Sequence, residues 1–179
     1  MEKFGFREIS PLMLENAMQK IGKEWMLITA YDGERHRVNA MTASWGALGV
    51  LWGKNICTCF VRPQRHTYGL MEDNERISIA FLSENYRNAL RLCGSKSGRD
   101  TDKLSEAGLS SVELDGVSVI AEADTVLVCR KLYADDLKEE CFLDSSLLSN
   151  YAAKDYHRFY VLEIEKAYRK NQTERETEQ

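Results

Sequence analysis

Apolar residues in this chain gather in short blocks separated by turn-forming residues, the signature of strands rather than of long amphipathic helices. Residues 25–31 form a mostly apolar run that reads as a buried strand, Asp32-Gly33 supplies a turn, and the chain returns through Val38. That hairpin would hold Asn39, Thr42, Ala43 and Ser44 on a sheet rather than on a free loop. Further strands are predicted over 55–61, 76–81, 123–134 and 156–167, with a second hairpin where 112–114 and 117–121 flank Asp115-Gly116. Gly46 and Gly49 interrupt the apolar stretch 47–52, which predicts a loop or irregular edge there instead of a regular strand.

The predicted helices are short. Ser10 as N-cap and Pro11 at the first helical position open one that Gly22 is placed to close, and this segment reads as a lid or a dimer contact. Pro63 ends the preceding strand by removing a backbone donor, and a helix follows over 67–73. Ser83 is placed to cap a helix over 84–92 and Gly94 to terminate it, so the loop 95–102 hangs from a fixed helix end. Residues 104–108 read as one turn with a glycine stop, and 145–150 as another short turn. Without the long helices that parallel crossovers need, the pattern favours a mainly β protein with short helices, closed or partly closed into a barrel. No Gly-x-Gly-x-x-Gly run follows the first strand, which argues against a Rossmann site. Residues 1–168 read as a single domain, and 169–179, almost wholly charged or polar, as a frayed tail.

Composition narrows the classes without naming one. At 179 residues, 44% of them apolar and 29% charged, the chain is long enough to bury a single core and is typical of neither a disordered nor a membrane protein. A net charge of −4 offers no general attraction to nucleic acid, and the basic residues near 62–65 and 96–103 form local clusters suited to one small anion. No apolar run approaches a membrane span and the first residues lack a signal-peptide core, so a cytoplasmic protein is expected. Five scattered cysteines then give no disulfide framework. Cys57 and Cys59 alternate on one strand face and read as buried small hydrophobes, since zinc would need two more ligands and no metal site is indicated.

Three stretches carry the chemistry. The first is Asn39-Ala40-Met41-Thr42-Ala43-Ser44-Trp45-Gly46, with hydroxyls, an indole and a glycine at a strand edge; the second is Val61-Arg62-Pro63-Gln64-Arg65-His66-Thr67; the third is Cys93-Gly94-Ser95-Lys96-Ser97-Gly98-Arg99-Asp100. In order and spacing the three resemble the flavin reductase-like proteins that bind FMN on a split β-barrel, over residues 25–167. The resemblance implies a homodimer with each flavin near the subunit boundary, and an isoalloxazine lined by the first stretch, which points to Thr42, Ser44, Trp45 and the backbone near Gly46. A dianionic phosphate needs guanidinium forks, hydroxyls and backbone donors. Arg62 and Arg65 are the obvious candidates, with Thr67, Ser95, Lys96 and Ser97 completing the cradle, and Gly94 and Gly98 allowing close backbone approach.

Each of these residues also has a plainer reading. Outside the pattern, Arg62 and Arg65 would be solvated surface charges and Trp45 a core residue. Asp102 and Lys103 read first as a helix start and only second as a ligand contact. His157 beside the closing strand is ordinarily structural, although in the resembling proteins a histidine near this strand approaches the flavin. The set implies an FMN-dependent oxidoreductase, an NAD(P)H:flavin reductase or a flavoredoxin-like electron carrier passing electrons to a small-molecule or protein partner. No Ser-His-Asp set or paired-carboxylate site argues for a hydrolase. A protein that holds FMN for storage, sensing or regulation without turnover is the alternative.

Overall fold

The computed structural model describes residues 4–171. Its organising element is β10 (Arg158–Lys170), the longest strand. The first half of β10 pairs antiparallel with β5 (Lys54–Val61), while along its other edge it pairs with β9 (Thr125–Asp136). Its second half exchanges β5 for β1 (Phe6–Ile9), with Phe6 opposite Lys170 and Ile9 opposite Ala167. Two register shifts against β9, between Val161 and Leu162 and between Ile164 and Lys166, bend the strand where it changes neighbour. Arg169 and Lys170 thus belong to β10, so the strand continues two residues into the stretch expected to fray, and residues 172–179 lie outside those described.

The remaining strands extend the sheet on both sides. Beyond β9 come β6 (Arg76–Phe81), β2 (Met26–Asp32) and β3 (Arg37–Ala43); beyond β5 comes β4 (Gly46–Leu51). β3 and β4 therefore end opposite sides of a seven-strand path, yet only Ser44 and Trp45 separate them in sequence. Six interstrand gaps of about 4.8 Å would hold them roughly 29 Å apart in a flat sheet, whereas three Cα steps reach at most about 11 Å. The sheet must roll until its ends meet, and it does: a Cβ built on Gly46 would lie 2.9 Å from Met26 Cε on β2 and 2.4 Å from the Thr58 carbonyl oxygen on β5.

Alternation sorts the side chains into two cores. Met26, Ile28, Met41, Cys57, Cys59, Ile77, Ile79, Leu127, Cys129, Tyr160 and Leu162 fill the barrel. Leu27, Ala40, Ala80, Val126 and Val128 face outward and are covered by α3 (Arg87–Ser95), α4 (Lys103–Ala107) and the hairpin β7 (Ser111–Leu114) to β8 (Val117–Ile120). Burial raises the thiols of Cys57 and Cys59 well above their ordinary range, which leaves them as packing groups. The remaining α-helices among the described residues are α1 (Ala17–Gln19), which runs into a π-turn over Lys20–Glu24, and α2 (His66–Asp73).

Three expectations are corrected. Residues 47–52 are not an irregular edge: β4 pairs in unbroken register with β5, from Gly46 opposite Cys59 to Leu51 opposite Lys54. The turn that joins them is Trp52-Gly53, both at positive φ (53° and 69°), and Gly49, open on its Cβ side, does not break the strand. Gly94 is inside α3, not at its cap; Lys96 holds that position and Gly94 serves close packing on Thr42. Ser10 and Pro11 open a single 3₁₀ turn, Pro11–Met13, and the helical segment after it is separate, with Gly22 inside the π-turn.

Gly46→Ala is expected to cost about 1–3 kcal/mol, because a methyl group there would lie 2.4 Å from the Thr58 carbonyl oxygen, which as backbone cannot swing aside as the Met26 side chain can. Gly49→Ala on the same strand should change stability by no more than about 0.5 kcal/mol, and urea unfolding of the two variants measures the contrast.

Candidate functional site

The site lies at the seam where β3 and β4 meet. Met41, Thr42 and Ala43 end β3, Ser44 and Trp45 cross to β4, and together with Phe60, Arg62, Arg65, Gly94 and His157 they line a cavity of about 250 Å³. Trp45 is 44% exposed, so its indole is a cavity wall and not part of either core. The His157 ring stands 5.0 Å from that of Trp45 and 6.4 Å from that of Phe60. His157 Nδ1 and the Tyr151 hydroxyl share a hydrogen bond of 2.9 Å. Burial, with the charge of Arg62 adding to it, lowers His157 to about 4, so the imidazole is neutral at physiological pH. The Thr42 hydroxyl donates to the Leu90 carbonyl at 2.5 Å and ties β3 to α3.

A second cavity of about 320 Å³ adjoins the first. Arg65 lines both; the second is completed by Gln64, His66, Thr67, Ser95, Lys96, Ser97, Gly98, Arg99, Asp100 and Lys103. Its floor is the C-terminal end of α3. Arg65 Nη2 donates to the Gly94 carbonyl at 2.6 Å and Lys103 Nζ to the Cys93 carbonyl at 3.2 Å, so two cations occupy the negative end of the helix dipole. Lys103 is 4% exposed. Burial lowers its pKa to about 8, with Arg65 adding to the effect and Cys93 opposing it. On the facing side, His66 and Thr67 begin α2, where the Tyr68 amide donates to the carbonyl of the N-cap residue Arg65 at 2.9 Å.

The loop closing this cradle is held by Arg37, which the sequence reading did not single out, and by Arg99 of the third stretch. Arg37 Nη2 donates to the carbonyls of Gly98 (2.7 Å) and Thr101 (3.0 Å), and Arg99 Nη1 to that of Gln64 (3.1 Å). Asn39 lines neither cavity. Its Nδ2 donates to the Thr67 hydroxyl at 3.0 Å, and its Oδ1 lies where a Cβ on Gly98 would fall, 2.1 Å away, so Gly98 is required for the loop to sit down on β3. Arg37 could have been found: it shares a strand face with Asn39, Met41 and Ala43. Phe60 shares one with Arg62 in the same way, whereas nothing local in sequence marks Tyr151.

The structure does not bring Arg62 to the loop 95–98. Its guanidinium pairs with Asp155, donates to the Asn150 carbonyl at 2.9 Å and lies 5.1 Å from the Tyr151 ring centre. The reason is position: Arg62 directly follows Val61, the β5 residue opposite Arg158, and so faces the segment that leads into β10. Pro63 lies in the turn closed by Arg65 N to Arg62 O at 3.0 Å and lines neither cavity, and Gly46 serves the seam. Lys96 reaches the cradle rim while paired with Glu106 at 2.5 Å.

The donor set fits a flavin mononucleotide. Cations and hydroxyls converge in one compartment, aromatic and small side chains flank the other, and Arg65 joins the two. No curated protein matches the sequence. A family model described as the flavin reductase like domain matches residues 18–177. Similar solved structures include an FMN-binding domain of a flavin reductase-like enzyme from Shewanella baltica (TM-score 0.67, 16% identity, 92% of this chain and 77% of that one covered). Flavoredoxin from Methanosarcina acetivorans gives a TM-score of 0.65 at 20% identity, covering 83% and 69%. An NADH:FAD oxidoreductase from Streptomyces globisporus gives 0.61 at 16%, covering 82% and 75%. The split-barrel fold that the resemblance implies is the fold of these neighbours.

A phosphate bound beside Lys103 stabilises its ammonium form and so raises its pKa above the value of about 8 in the free protein. Affinity for FMN is therefore expected to be full below pH 8 and to fall as pH rises through it, by at most about tenfold per unit for one linked proton. Titration calorimetry across this range should show no such fall with riboflavin, nor with FMN in Lys103→Met.

Proposed function

This chain belongs to the family of flavin reductase like domains, and we propose that it is an FMN-binding oxidoreductase, an NAD(P)H:flavin reductase or a flavoredoxin-like electron carrier. The observation that carries the reading is the position of Arg65, which lines both the aromatic-walled cavity and the basic cradle, as a ligand with a flat ring and a phosphate requires.

When bound, FMN supplies the hydride-accepting and electron-releasing chemistry. The chain's own residues bind and orient. Arg65 and Lys103 receive the phosphate on a floor already set by the carbonyls of Gly94 and Cys93. Trp45 and Phe60 exclude water from the ring's compartment, and His157, uncharged, adds a wall without adding charge. Arg62 and Arg65 place two guanidinium groups on that compartment, which favours a ligand that carries negative charge. The lining of the ring cavity includes no carboxylate and no cysteine, in keeping with chemistry carried by the cofactor.

We further propose a homodimer. Leu12 (80% exposed), Met18 (93%), Val50 (70%) and Trp52 (61%) offer apolar surface on the N-terminal segment, on β4 and in the turn after it. Sedimentation with FMN present is expected to give twice the 20.5 kDa chain mass, and a species of chain mass alone would refute the dimer.

Anaerobic mixing of FMN-loaded protein with NADH or NADPH is expected to bleach the flavin absorbance. A protein that stays yellow with both is a flavin binder without reductase activity. Arg65→Ala should weaken FMN binding about 10- to 100-fold and leave riboflavin nearly unchanged, since charge-assisted bonds to the phosphate are what it removes. Equal losses for the two ligands would take Arg65 out of the phosphate site.

A further inference from the structure

The wall that His157 gives the ring cavity has a second layer behind it. A 3₁₀ segment, Ser145–Tyr151, ends on Tyr151, and a turn closed by Lys154 N on the Tyr151 carbonyl at 2.8 Å, with Lys154 at φ 54°, brings the chain back. His157 Nδ1 thereby meets the Tyr151 hydroxyl at 2.9 Å, the two rings standing edge to face at 84°. Both residues are buried, Tyr151 at 5% exposure and His157 at 9%. The Tyr151 ring is held on three sides: Tyr156 stacks on it at 4.9 Å, Phe142 packs at 5.7 Å, and the guanidinium of Arg62, itself paired with Asp155, lies over its face. Tyr151 lines neither cavity, so its hydroxyl acts on His157 and not on a ligand.

A hydrogen bond between a phenol and a neutral imidazole can run in two directions, and they leave the imidazole in opposite tautomers. If Nδ1 donates, Nε2 carries a lone pair; if the phenol donates, Nε2 carries the proton. A carboxylate or carbonyl at Nδ1 would draw the proton there and leave Nε2 a base, as in a catalytic triad. Here the partner is a hydroxyl. A phenol is a good donor and a poor acceptor, the bare imidazole nitrogen is a good acceptor, and burial raises the Tyr151 pKa, which keeps the proton on the phenol. The Nε2–H tautomer follows. No group among the described residues bonds Nε2, and His157 lines the ring cavity, so this N–H is the polar atom the side chain has left for a ligand.

We propose that Tyr151 is a positioning residue: its hydroxyl fixes His157 in the Nε2–H tautomer and so makes the histidine a hydrogen-bond donor to the ring bound beside Trp45, and not a base. The proposal rests on the flavin reading above and adds to that site a residue that touches no ligand. A donor of this kind holds an acceptor atom at the ring edge, and holds it more strongly as the ring gains electron density. Tyr151 therefore acts on ring affinity and on reduction potential together, through a hydroxyl two layers away.

Multiple-bond proton–nitrogen NMR correlation of the imidazole, recorded on the flavin-free full chain, reads the tautomer directly. Wild type is expected to show a protonated Nε2 and a bare Nδ1, and Tyr151→Phe to replace that single tautomer by a mixture. Calorimetric titration then reads the ring contact. Tyr151→Phe should weaken FMN and riboflavin alike, about 3- to 10-fold, since both carry the ring, and should shift the midpoint potential of the bound flavin to more negative values. This is the opposite of the pattern expected for Arg65→Ala, which separates the two ligands. Tyr156→Phe removes a hydroxyl that bonds Glu139 from the stacked neighbour, and is expected to change neither tautomer nor affinity. With flavin binding intact, a protonated Nδ1 in wild type, unchanged affinities in Tyr151→Phe, or equal losses in Tyr156→Phe would overturn the role of Tyr151 alone. Wild-type protein that binds neither ligand would overturn the flavin reading and this role together.

Discussion

Two residues, Ser44 and Trp45, join strands that lie at opposite ends of the sheet path, and that short link forces the barrel to close. Every feature of the site follows from where the closure falls. Because β4 starts against Met26 and the Thr58 carbonyl, position 46 has no room for a side chain, and the preceding Trp45 is turned outward over the seam. The same closure brings Phe60 on β5 and His157 before β10 to the end of β3, so one cavity gathers residues from distant parts of the chain. A longer connection would let the sheet relax open, and the compartment would lose a wall.

The electrostatic half of the site depends on α3 in a comparable way. Its last carbonyls hold Arg65 and Lys103 in place before any ligand arrives, so little side-chain freedom remains to be lost on binding. Burying an ammonium is unfavourable, and the depressed pKa of Lys103 records that strain. In the proposed reading, a bound phosphate would offset that cost. The loop over the cradle is equally prepared, pinned by Arg37 from β3 and by Arg99 to the turn before α2. Preorganisation here means that the binding surface is already held by hydrogen bonds of the fold.

Strand periodicity made most of the architecture readable, because period-2 alternation is strong where one face is buried and Asp-Gly turns are unambiguous. β2, β3, β5, β6, the β7–β8 hairpin, β9 and β10 all lie close to where the pattern put them. β4 was missed for a physical reason: its outward face is exposed and apolar and it carries two glycines, so neither alternation nor propensity marks it, and its Trp-Gly turn uses a residue rarely found at positive φ. The motif residues were legible as a set, but their division of labour was not. Arg62 and Arg65, three apart in sequence, point to different partners because one follows a strand and the other begins a helix. Arg37 and Phe60 could be had from strand faces only once the motifs gave those faces a purpose, and nothing in the short turn expected over 145–150 marks Tyr151 as the residue that reaches His157.

The placement of β10 has a consequence for how the chain is made. A ribosome delivers residues in order, and β10, the last strand described, is the one that β5, β9 and β1 all need as a neighbour. Until its thirteen residues emerge, β5 and β9 expose unpaired edges and the inner core lacks Tyr160, Leu162 and Ile164. Closure of the barrel therefore waits for the last strand described, and until it arrives one edge each of β5 and β9 stays open to pairing with other chains.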